Sequence, residues 1–124
     1  MVQTEDRILV ELPVEKEFAR LLRLLVSGIA SRMSFDLDAV DDLKIAVEEA
    51  FLMAMRRQVQ SPVKVSFLIG DDALQIDLKG HVGPVRQKDH GSQTFGNFIL
   101  EAVVDEISDG GIGETFDLRL TKKV

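Results

Sequence analysis

Val40, Leu43, Val47, Ala50 and Ala54 recur at spacings of 3, 4, 3 and 4, and at about 100° per residue they form one stripe of an amphipathic helix. The stripe predicts a helix from about Leu37 to Gln58. Ser34, Asp36 and Asp38 are its candidate caps, Arg56 and Arg57 suit its carboxyl end, and Ser61-Pro62 marks its exit. Upstream, Phe18, Leu21, Leu22, Leu25 and Ile29 predict a helix from near Glu15 to about Met33, with Glu15 and Glu17 in its first turn. Phe98, Ile99, Ala102, Val103 and Ile107 predict a third, ended by Gly110-Gly111. Leu21, Leu25, Val47, Ala50, Phe98 and Val103 are expected to share one core.

Strand patterns fill the gaps. Arg7 to Leu12 alternates imperfectly and stops at Pro13, as an edge strand does. Val63 to Ile69 and Ala73 to Leu78 alternate on either side of Gly70-Asp71-Asp72, which predicts a hairpin. Glu114 to Leu120 gives a last strand, and Gly80 to Ser92, without periodicity, reads as a loop of about a dozen residues. The order βααββαβ implies an α/β (α+β) two-layer sandwich, a mixed sheet of about four strands with three helices on one face.

The 124 residues suffice for one domain whose folding buries roughly two-thirds of the extended-chain surface. Hydrophobic residues make up 45% and charged ones 29% of the chain. No apolar run approaches the roughly 20 residues of a membrane span, and the first residues lack the basic and apolar regions of an export signal. A cytoplasmic protein without membrane attachment is expected. With zero cysteines, disulfides, thiolate catalysis and cysteine zinc sites are excluded. A net charge of −6 disfavours nucleic acid, and the seven Phe are scattered, not set at stacking spacing, so a protein partner is expected instead.

Glu49 is the residue that raises a chemical question. It lies off the apolar stripe with Ile45 and Met53 one turn away on either side, a setting in which burial prepares a carboxylate for proton transfer. The plain alternative is a solvated helix acid. Ile-Ala-Val-Glu-Glu-Ala-Phe-Leu-Met-Ala at 45–54 resembles the Glu-Ala-x-x-Asn motif of the bacterial anti-sigma-factor serine kinases of the RsbW and SpoIIAB type, which have the GHKL (Bergerat) histidine-kinase-like ATPase fold. The likeness runs from Leu12-Pro13 to the last strand and includes Leu22–Ala30 and Gly96–Ile107. It implies that Glu49 is the general base, that position 53 holds magnesium, that Gly80 and Gly96 stand at adenine and phosphate positions, and that Thr115 approaches the adenine.

Several of these positions depart from the pattern. Met53 replaces the Asn, and a thioether is a poor ligand for a cation that wants hard oxygens. Gly80, Val82 and Pro84 replace the Asp and both glycines of Asp-x-Gly-x-Gly; a shifted alignment would use Asp77 and Gly83 instead. Thr94-Phe95-Gly96 keeps one glycine of a phosphate-cradling pair, and Phe95 is expected to fill the space beside it. The resulting expectation is a regulatory domain that binds a protein, a sigma factor or an anti-sigma antagonist, without being an enzyme and without a cofactor. Arg20 and Arg23 would contact the partner, and a homodimer is admitted. The alternatives are an active ATP-dependent serine-protein kinase using magnesium, and a dimerisation or scaffold module unrelated to sigma factors. His81 and His90 show no metal-ligand spacing, and Asp36, Asp38, Asp41 and Asp42 lack the Gly and Glu of a calcium loop, so no resident metal site is expected.

Overall fold

Alternation sorts the strand side chains onto two faces, and one of them is mostly apolar. In the computed structural model, which describes residues 6–83 and 90–124, with 90–96 by their backbone, five strands form one sheet. They are β1 (Asp6–Leu12), β2 (Val59–Ile69), β3 (Ala73–Val82), β4 (Glu106–Asp109) and β5 (Thr115–Lys123), in the order β1-β2-β3-β5-β4. One row of the register, Val10 to Val65 to Leu78 to Leu118, crosses four strands. The last three of these side chains are fully buried, each stabilising the fold by about 1.5–3 kcal/mol relative to exposure.

The helices α1 (Phe18–Ala30), α2 (Leu37–Arg56) and α3 (His90–Val103) complete the order. Asp36 caps α2 by accepting a 2.8 Å hydrogen bond from the Ala39 N–H. α2 packs between α1 and α3, which explains why Ala46, Phe51 and Met53 are buried along with the predicted stripe of Leu43, Val47, Ala50 and Ala54. Across the bundle, Lys122 Nζ on β5 reaches Asp42 Oδ2 of α2 at 3.3 Å and the Val103 carbonyl of α3 at 2.9 Å. The hairpin forms as predicted, with the Gly70 N–H donating to the Ala73 carbonyl.

The architecture is the expected layer of helices over a sheet, with differences that have physical causes. All four strand pairings are antiparallel, where parallel pairs were also expected, and β4 is a fifth strand. It occupies residues assigned to the end of the third helix, because Asp105 N–H and the following backbone bond to β5 instead. α3 starts at His90 and β3 continues to Val82, so the predicted Gly80–Ser92 loop is shorter at both ends. β2 begins at Val59, and its register shifts between Gln60 and Lys64, an irregularity that accommodates Pro62, which has no N–H to donate. Leu21 and Phe98 are 48% and 70% exposed and do not belong to the core; Leu25 is half-buried against it. The first helix starts and ends three residues inside its predicted bounds. Among the described residues, no helix is long and apolar enough to cross a membrane.

Candidate functional site

Burial of α2 on two flanks and below places Glu49 in the interior of the helical layer. It is 9% exposed, while its sequence neighbour Glu48 is half-buried and meets Arg23 at 3.7 Å. An ion at that depth requires a partner, and Arg56, two turns along the same helix, supplies it. Its Nη2 donates to Glu49 Oε2 at 2.5 Å. Arg56 was read from the sequence only as a favourable terminal charge. The i, i+7 spacing, which returns to nearly the same helical face, was the available signal.

Met53 lies between these two residues and is 1% exposed. Beyond them, Arg57 leaves the helix end, bonds Asp109 Oδ2 at 3.0 Å and lies over the Phe116 ring at 5.4 Å. Its Nε has no partner among the described residues. Phe116 stands opposite Gly80 in the β3–β5 ladder, and Thr115 stands opposite His81. The fold therefore brings Gly80 and Thr115 together and connects them, through Phe116 and Arg57, with the end of α2. Gly80 faces the helices, and a Cβ added there would collide with Val59 Cγ1. The Thr115 hydroxyl is engaged locally, donating to the Ile112 carbonyl at 2.8 Å and accepting from its N–H at 2.9 Å.

Arg20 and Arg23 lie apart from this group, on exposed α1. Asp77 does too: on the opposite sheet face it accepts a two-pronged contact from Arg119, at 2.9 and 3.3 Å, so a shifted alignment does not deliver its carboxylate to the helix side. Gly96 is inside α3 instead of ahead of it. The side chain of Phe95, expected to fill the neighbouring space, lies outside the described residues, as does most of the segment between β3 and α3.

ATP and magnesium are the groups the resemblance implies, and the described residues do not build the magnesium site. Position 53 brings a buried thioether and no oxygen. No group of three or more His, Cys, Asp and Glu is placed to hold a metal among the described residues. At the adenine position, Gly80 has no carboxylate and Val59 fills the space beside it.

Fold and site together define a histidine-kinase-like domain with its acid on the central helix. A crystal structure of the RsbU and RsbW domains of a Mycobacterium tuberculosis protein superposes with a TM-score of 0.73 over 94% of this chain and 31% of that one, at 16% identity, which establishes the shared fold. No family model matches the chain. It is 33% identical over 117 residues to the serine-protein kinase RsbW of Bacillus velezensis, covering 91% of this chain and 72% of the relative. The RsbW kinase of Listeria monocytogenes is 34% identical over 122 residues, covering 95% and 69%. The chain belongs to the RsbW and SpoIIAB family of anti-sigma-factor kinases. This relationship overturns the expectation that the chain is not an enzyme: its relatives throughout this identity range are serine-protein kinases.

Proposed function

We propose that this chain is a regulatory domain that binds a protein, a sigma factor or an anti-sigma antagonist, and phosphorylates a serine of its substrate protein. Kinship with serine-protein kinases over nine-tenths of the chain supports the second half. The structural observation that carries it is the Glu49 carboxylate, enclosed by the helical layer and oriented by Arg56. A carboxylate so held accepts the proton of a seryl hydroxyl as that oxygen becomes the nucleophile, and exclusion of water strengthens each polar contact around it. ATP, if bound, would supply the γ-phosphoryl group to that oxygen and leave as ADP. Position 53 takes no part in this chemistry. Arg20 and Arg23, with their exposed guanidinium groups on α1, are the proposed partner contacts, suited to carboxylates of an acidic protein surface.

The test is incubation of the purified chain with labelled ATP, magnesium and a candidate antagonist protein. Label on a serine is expected, with Glu49→Gln lowering the rate about 100-fold or more while circular dichroism stays unchanged. Partner binding, followed by sedimentation, is expected to weaken in Arg20→Glu and Arg23→Glu. Binding without transfer would remove the kinase half of the proposal, and transfer undiminished in Glu49→Gln would remove its assignment to Glu49.

A further inference from the structure

Glu49, Met53 and Arg56 stand one turn apart along α2, within about 60° of one helical face. Met53, in the middle, is fully buried, so its position is closed as well as lacking the hard oxygen that magnesium wants. Beside it the Arg56 guanidinium donates through Nη2 to Glu49 Oε2, and a fixed cation on that carboxylate repels a divalent cation from the same place. A positive charge is therefore already present where the metal's would be. It is also within reach of a ligand: the Arg56 side chain is 38% exposed, and Glu49 engages only its Nη2, leaving the other donors without a partner among the described residues. A guanidinium presents its N–H groups in a planar fork that matches phosphate oxygens in pairs. Arg57, the next residue, is held elsewhere, on Asp109 and over the Phe116 ring, so the part falls to Arg56.

We propose, on the kinase reading above, that Arg56 takes the place of the divalent cation and that this chain binds its nucleotide as the metal-free triphosphate. Glu49 holds Nη2 and fixes the plane of the fork, while the remaining N–H groups bind phosphate oxygens. Acid and cation form one unit, in which the fork compensates the charge of a carboxylate at that depth. A magnesium complex of the nucleotide carries less negative charge for Arg56 to meet and sets one cation against another. Metal therefore lowers the affinity of this chain for the triphosphate.

Calorimetric titration of the purified chain with ATP, at matched ionic strength, is expected to give binding about threefold or more tighter in EDTA than in excess magnesium. Arg56→Gln is expected to weaken metal-free binding about tenfold or more and to abolish the preference for EDTA. Arg56→Lys, which keeps the charge without the fork, is expected to lose less. Circular dichroism checks that each variant is folded, and the comparison of the two buffers on the unmodified chain needs no variant. Magnesium tightening ATP binding to the unmodified chain, absence of binding in both buffers, or Arg56→Gln binding as tightly as the unmodified chain would each overturn the proposal. Serine labelling together with magnesium-tightened binding would remove the role of Arg56 and leave the kinase reading, whereas metal-free binding without labelling would do the reverse.

Discussion

Gly80 shows how one missing side chain shapes the helix-side surface of the sheet. Its place is taken by Val59, a stiff β-branched residue 5% exposed, so Gly80→Ala is expected to destabilise by about 1–3 kcal/mol through overpacking. Combining it with Val59→Ala should recover part of that loss. Additive losses in chemical denaturation would show that the two sites do not share the space. Asp77 poses the opposite case, a carboxylate 7% exposed on the solvent face of the sheet. The hydrogen bond to Asp77, and then its charge, raise the pKa of Arg119. A raised basic pKa means that the stabilisation is complete below the ordinary arginine value and is lost only as pH rises through the raised one, so the guanidinium itself adds no pH dependence near neutrality. Arg119→Ala leaves Asp77 without this partner and is expected to cost about 1 kcal/mol, discounted because the arginine side chain is half exposed. Glu49 was legible from its helical position, whereas Val59 fell between the predicted helix end at Gln58 and the predicted strand start at Val63, a stretch that β2 in fact covers across its register shift.

Among the elements, α2 was the most legible because its apolar spacing, cap and terminal charges agree. Asp36→Ala should lower stability by about 1 kcal/mol through loss of the Ala39 contact, and Val47→Ala, fully buried, by about 1–3 kcal/mol. Reversal of that order in urea denaturation would contradict the central placement of α2. α1 was less legible, since its apolar residues cover more than one face and periodicity does not say which flank another element covers. Leu22 and Val26 are buried, whereas Leu21 and Leu24 are exposed. β4 was missed for a different reason: four residues with only Ile107 apolar carry too short an alternation to compete with the helical pattern preceding them.

At the scale of the molecule, the last strand in sequence is not the last in space. β5 lies between β3 and β4, and its Lys122 ties α2 to α3, so a chain ending before Thr115 is expected to show no cooperative unfolding transition by circular dichroism. Retention of a sharp transition would mean that the paired strands β1–β3 and the three helices suffice without β5. This placement also bears on how the protein is born. At about 5–20 residues per second of synthesis, the 41 residues separating Val82 from Lys123 take roughly 2–8 s to make. Throughout that interval the nascent chain has β3 paired with β2 but without β5, with Leu74, Ile76 and Leu78 uncovered on that side. The sheet therefore closes only after β5 has emerged, and until then the edge of β3 that β5 covers stays open for seconds on every round of translation.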